Sequence, residues 1–201
     1  MERLAFDIVL LPSGSIKEQL VLANKQFCLK NHPISFSAGS RLPHISLLMG
    51  VIKKDDLGAV QAILKRIADK TRSLTLQISR QYNEPIPTGE TVLGFEIKST
   101  DALQSLHELV SRELSAYASY DAKPEDVFDA NAEPLTLKWV NGFKENSSGK
   151  NFWPHITMGI GSNEFDFPAE EFVISELAMF HIGTYCTCPR DGLLGKWALN
   201  Q

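Results

Sequence analysis

An α+β fold, with mainly antiparallel strands and helices packed outside them, is what this chain predicts. Three observations lead there. Segments of strand-like and helix-like hydrophobic periodicity run in the order β-α-β-α-β-β-α-β-β-β-β along 201 residues. Most connections are hairpin-compatible and few read as β-α-β crossovers. Apolar residues make up 43% and charged residues 22%, enough for one sizeable packed core, and no low-complexity stretch or flexible linker divides the chain.

The elements follow in order. "LAFDIVLLP" has the length and β-branched content of a buried strand stopped by Pro12. Ser15 and Glu18 are spaced as a capping box, and Ile16, Leu20, Ala23 and Phe27 then predict a helix over residues 16–29. "RLPHISLLMGVI" is strand-like. Leu57, Val60, Leu64 and Ile67 share one helix face, with Asp55 and Asp56 at its positive end. Leu74, Leu76 and Ile78 alternate in a strand, as do Leu93, Phe95 and Ile97 after the turn-rich "NEPIPTGET". Leu103, Leu106, Val110, Leu114 and Tyr117 mark a third helix. Residues 118–134 read as an acidic loop, and "LTLKWV" as a strand with Leu135, Leu137 and Trp139 on one face. "NGFKENSSGKN" carries the strongest turn signal, a hairpin end or a mobile flap. Three strands close the chain: "PHITMGI", "FVISELAMF" and "LLGKWAL".

Composition narrows the function. A net charge of −4 lacks the basic excess of a protein that grips long nucleic acid through its phosphates, so a short end or a small nucleotide is favoured. Three cysteines argue against a disulfide framework and fit a reducing cytoplasm. Cys186 and Cys188 form C-x-C near His181, but without the paired spacing of a structural zinc site. The apolar N-terminal run is interrupted by Asp7 and lacks a small-residue cleavage site, which points to a strand rather than a leader.

The chain's one internal repetition is chemical. "PHISL" at Pro43–Leu47 returns as "PHITM" at Pro154–Met158, 111 residues on, and uses two of only five histidines. Chance gives two such matches in under about 1% of sequences of this composition. In a strand, residues i and i+2 share a face. His44 would therefore point with Ser46, and His155 with Thr157, while Ile45, Leu47, Ile156 and Met158 anchor the other face. Two imidazoles titrating near neutrality suit a reaction that deprotonates an incoming oxygen and protonates a departing one. In-line displacement at phosphorus has that form, with Ser46 and Thr157 placed to bond the non-bridging oxygens. No nucleophile elbow, P-loop or dinucleotide fingerprint competes, and no carboxylate neighbours either motif in sequence. Around the pair, Lys150 is a candidate to hold phosphate and Trp153 either stacks a base or fills core. His181 either meets substrate or bonds backbone at a strand end, and Arg41 is solvated or reaches a phosphate.

The paired motifs "HISL" and "HITM", about a hundred residues apart in a small α+β chain, resemble the 2H (two-histidine) phosphoesterase superfamily. The branch most alike is the 2′-5′ RNA ligase-like proteins, or RNA 2′,3′-cyclic phosphodiesterases. The likeness spans most of the chain, from the strand ending at Pro12 to the closing "KWAL", and only the pairing of the motifs is specific. Serine in the first motif is an accepted variant of the commoner threonine. The resemblance implies residues 1–201 as a single bilobal domain with two mainly antiparallel sheets, pseudo-twofold symmetric around a central cleft. One motif lies in each lobe, and residues 118–150 form a candidate loop insertion. It implies hydrolysis of a 2′,3′-cyclic phosphate or a 2′-5′ linkage, reversible as ligation, with no metal and no cofactor. His155 would activate water and His44 would protonate the leaving ribose oxygen. The expected partner is an RNA end or small nucleotide in the cytoplasm, with no membrane contact and a monomer favoured. A binding module that turns nothing over is the main alternative. A structural protein with its histidines buried apart is the third reading.

Overall fold

A computed structural model describes residues 2–30, 32–36, 41–129, 132–161, 167 and 171–200. Strand β1 (Arg3–Pro12) is the ten-residue apolar run, and every residue after Arg3 is buried. Helix α1 (Gly14–Phe27) turns Ile16, Leu20, Ala23 and Asn24 inward. A two-residue strand, β2 (Arg41–Leu42), precedes β3 (Ile45–Lys53). Helix α2 (Leu57–Ala68) buries Val60, Leu64, Ile67 and Ala68, the stripe its periodicity predicts. Strands β4 (Leu74–Pro85) and β5 (Thr91–Ile97) form a hairpin, and α3 (Asp101–Glu113) starts where the Thr100 side chain caps the Leu103 N–H. After α4 (Pro134–Asn146) come β6 (His155–Ile160), β7 (Glu171–His181), the short β8 (Cys188–Pro189) and β9 (Leu193–Ala198).

The chain is thus α+β, with all paired strands of the described residues antiparallel. Seven strands join in the order β3-β1-β7-β4-β5-β6, with β9 also on β7, and β2 pairs with β8 in a separate two-stranded sheet. Strand β7 serves both halves. Its residues 174–181 pair with β1, while residues 171–174 pair with β4 and 176–180 with β9 on the opposite edge. The motif-bearing strands β3 and β6 therefore stand at the two ends of the strand order. The sheet curls enough that their Cα atoms still approach within 8 Å. Helices α1, α2 and α3 cover one face over the main core, and α4 packs on β3. Among the described residues no helix is long and apolar enough to cross a membrane.

Two local expectations are overturned. The helix predicted to open with a Ser15–Glu18 capping box starts earlier, with Ser13 as its N-cap, so Ser15 lies inside the first turn and caps nothing. The strand predicted over "LTLKWV" is the first half of α4, which runs on through most of the turn-rich segment. Pro134 occupies the first helical turn, where its missing N–H costs nothing. The residues actually buried are Thr136, Val140 and Phe143, at helical spacing, whereas Leu135, Leu137 and Trp139 are only partly covered. The described residues of 118–133 (118–129, 132 and 133) are irregular apart from a three-residue helical turn at Pro124–Asp126, and α4 dominates the rest of the 118–150 segment.

Candidate active site

Each histidine pentapeptide alternates as its strand geometry requires. Ile45, Leu47, Ile156 and Met158 have no exposure, and His44, Ser46, His155 and Thr157 are half-buried on the opposite side. Both motifs also carry the same irregularity. On β3, Ile8 opposes Leu48 but Val9 opposes Ser46, leaving Leu47 as the extra residue. On β6, Leu93 opposes Gly159 but Gly94 opposes Thr157, leaving Met158 as the extra residue. A bulge bends its strand and re-aims the neighbouring side chains. Each bulged carbonyl is then capped by a buried side chain from a helix. His107 of α3 donates from Nδ1 to Leu47 O at 2.7 Å, and Asn24 of α1 donates from Nδ2 to Met158 O. The repeated pentapeptide thus encodes a repeated local structure as well as a pair of rings.

The rings are held alike. His44 Nδ1 donates to the Leu42 carbonyl at 2.9 Å and His155 Nδ1 donates to the Trp153 carbonyl at 2.9 Å. In each neutral ring this leaves the Nε2 lone pair for chemistry. Both histidines, with Ser46 and Thr157, line one cavity of about 400 Å³. Desolvation lowers the pKa of both. His44 is pushed down to about 4, first by burial and then by the charge of His155, against the opposing pull of the Leu42 carbonyl. His155 is lowered by burial, while Glu96, its cross-strand partner, opposes the shift. Both rings are therefore neutral at pH 7.

The hydroxyls have different partners. Thr157 Oγ1 shares a 3.3 Å hydrogen bond with the Tyr82 hydroxyl. Ser46 Oγ donates at 2.7 Å to Asp7 Oδ2, and the same oxygen lies 3.7 Å from His44 Nε2. Asp7 thus contacts both polar residues of the first motif, a neighbour of the candidate site that sequence reasoning missed. It reads there as a mere interruption of an apolar strand, yet it is wholly buried, and burial raises its pKa well above the usual carboxylate range. The available signal was its position: an ionisable side chain in the middle of an apolar strand is costly unless the fold gives it work.

The remaining candidates separate cleanly. Trp153 lines the cavity and stacks on His155 with ring centroids 4.3 Å apart, and a hydrogen bond to Glu96 fixes it. Tyr82 meets the imidazole edge-on at 5.8 Å and packs against Trp153 at 4.9 Å, so the three rings form one cluster. Arg41 also lines the cavity, neither solvated nor free, since it bonds Thr187 Oγ1 at 2.9 Å and Asp129 Oδ2 at 3.1 Å. Lys150 and His181 are not brought to the cavity. Lys150 is exposed on the turn before Phe152, and His181 donates to the Asp126 carbonyl at 2.8 Å, so backbone bonding is its role. Helix α4 supplies an unforeseen wall. Trp139 and Phe143 face the cavity, and Thr136 Oγ1 accepts from the Tyr185 N–H at 2.7 Å. That bond steadies Tyr185 and Cys186, two consecutive non-glycine residues at φ 55° and 54°. Left-handed backbone at such residues costs on the order of 1–2 kcal/mol each. Here it turns the Cys186 backbone toward the His44 ring, where it favours the protonated form against the effect of burial.

Comparison with known proteins places the fold. No protein-family model matches the chain, and no curated protein matches its sequence. Among solved structures the fold is that of LigT-type proteins, with coverage end to end. Escherichia coli LigT complexed with NADP+ superposes with a TM-score of 0.57 at 15% identity over 100% of both chains. TT0787 of Thermus thermophilus gives 0.57 at 15% identity over 98% of each chain. A crystal structure described as a phosphoesterase gives 0.54 at 15% identity over 100% of both.

Proposed function

We propose that this chain is a member of the 2H phosphoesterase superfamily. Its reaction is metal-independent hydrolysis of a 2′,3′-cyclic phosphate or 2′-5′ phosphodiester at an RNA end or on a small nucleotide. One observation carries the reading. Two imidazoles from distant pentapeptides, each with Nδ1 tied to the carbonyl two residues back, share a single cavity that also holds both motif hydroxyls. Phosphate-bearing ligands bound to E. coli LigT, namely phosphate, 3′-AMP and ATP, support it by fold analogy. A structural protein with its histidines buried apart is the reading this geometry disfavours.

The chemistry follows from the charges. An anionic phosphodiester entering between two neutral rings raises the proton affinity of both, and one takes up a proton. Glu96 favours the charged form of His155, whereas His44 is the ring most resistant to protonation. We therefore assign His44 as the base that accepts the proton of attacking water, and His155 as the acid that protonates the departing ribose oxygen. This is the reverse of the assignment the family resemblance implies. The two rings exchange roles in the ligation direction. Thr157 and Ser46 donate to the non-bridging oxygens. Ser46 is free to do so when neutral Asp7 supplies the proton in their mutual hydrogen bond. The Trp153 face is the platform for a base.

The test is incubation of the purified protein with the four nucleoside 2′,3′-cyclic phosphates in EDTA. Turnover that disappears in His44→Ala and His155→Ala is expected. Saturable binding without turnover would favour the binding-module alternative.

A further inference from the structure

A second donor set sits beside His44. Asp7 of β1, His44 and Cys188 of β8 each present one ligand atom, and these atoms all lie within 4.8 Å of one another. Points so spaced share a centre no more than about 2.8 Å from each, against metal–ligand distances of about 2.0–2.3 Å for zinc, so a contraction of about half an ångström closes the set. An independent observation points to a ligand. Asp7 is wholly buried, and its Oδ1 has no hydrogen-bond partner among the described residues. A buried acceptor left unpaired costs on the order of 1–3 kcal/mol, which a bound cation removes. Cys188 is likewise without exposure and carries a free thiol.

The donor chemistry selects the cation. Sulfur, imidazole nitrogen and carboxylate oxygen are the zinc set, whereas magnesium and calcium take oxygen ligands. Coordination expels the thiol proton of Cys188 and the carboxyl proton of Asp7 to solvent as the metal–sulfur and metal–oxygen bonds form. The resulting thiolate and carboxylate together neutralise a divalent ion, so no net charge is buried. Three protein ligands leave a fourth position for water or an anion.

We infer that Asp7, His44 and Cys188 form a binding site for a divalent cation of the zinc class. Its occupation takes the His44 Nε2 lone pair and reversibly silences the enzyme. The inhibitory half rests on the function proposed above; the binding half does not.

Titration of the metal-free protein with Co2+ tests the site directly. A thiolate-to-cobalt charge-transfer band saturating at one equivalent is expected, with Zn2+ displacing it. Cys188→Ala loses the band. Cys186→Ala keeps it, because that thiol turns instead toward the Thr136 carbonyl at 3.9 Å. In the turnover assay, stoichiometric Zn2+ silences the wild type and EDTA restores it, while Cys188→Ala needs about 100-fold more zinc. Should Cys188→Ala not fold, Asp7→Asn provides the second reading, with Co2+ bound at least about tenfold more weakly. A wild type without the band, a band that survives in Cys188→Ala, or an Asp7→Asn protein that binds Co2+ as tightly as wild type overturns the site. A band of the expected kind in a protein that turns over no phosphodiester keeps the site and removes the phosphodiesterase reading instead.

Discussion

Replacing Gly94 by alanine tests how tightly the second motif is built. A Cβ at that position would lie 2.2 Å from Tyr82 Cζ and 2.3 Å from its hydroxyl oxygen. Carbon atoms pack at about 3.5–4.0 Å, so the tyrosine ring must retreat by more than about 1 Å. It has little room to do so. Tyr82 is only 5% exposed and is boxed by Trp153 at 4.9 Å and His155 at 5.8 Å. Retreat breaks the bond to Thr157 or pushes the imidazole. Overpacking of this kind costs about 1–3 kcal/mol of stability, and misplacing a reacting group by about 1 Å costs about 100-fold in rate. Urea denaturation and kcat on a 2′,3′-cyclic nucleotide measure the two effects separately. Removing the ring removes the clash, so Gly94→Ala is expected to cost little stability in a Tyr82→Ala background. Gly94→Ala protein that unfolds and turns over like wild type refutes the reasoning, as does an equal stability cost in both backgrounds.

Further expectations concern the rings and their supports. Because the folded-state pKa of His44 lies near 4, the unfolded chain binds more protons below pH 6.5, and stability falls as pH drops from there toward 4. The His44 share is about 3 kcal/mol, so His44→Gln should flatten the pH dependence of urea unfolding by about that amount. An unchanged slope contradicts the buried, neutral ring. Asn24→Leu and His107→Leu each strand a bulged carbonyl and should cost about 1–3 kcal/mol in the same assay. Loss below a few tenths of that for both variants would show that the bulges need no cap. Trp153→Ala should lower kcat/KM at least about tenfold through lost stacking on base and ring, while Lys150→Ala and His181→Ala stay within about twofold of wild type. The opposite ranking would return Lys150 and His181 to the site.

Most of the fold was legible because burial and periodicity agree. Val60, Leu64 and Ile67 fill one helix stripe, and Leu74, Leu76 and Ile78 one strand face, so local pattern and tertiary demand coincide. The pattern fails at residues 135–140. There the alternation of Leu135, Leu137 and Trp139 imitates a strand over six residues, too short a window to expose the helical triad Thr136, Val140 and Phe143. The paired histidines were readable because each motif is local: ring, hydroxyl and anchoring residues lie within five positions. Asp7, Tyr82, Trp139 and Cys188 reach the same cavity or its floor from β1, β4, α4 and β8, segments far apart in sequence that only tertiary packing brings together. Lys150 was misplaced for the converse reason, since nearness in sequence to His155 does not survive the turn at Gly149–Asn151.

The claim on which the account turns is that His44 and His155 face a single phosphate. Proton–nitrogen correlation spectra of the histidine side chains, recorded in EDTA while inorganic phosphate is added, measure it without reference to any substrate. The account predicts that the Nε2 resonances of both rings move along one common saturation curve while those of His107 and His181 stay fixed. Two unrelated curves, or movement of only one of the two rings, would contradict it.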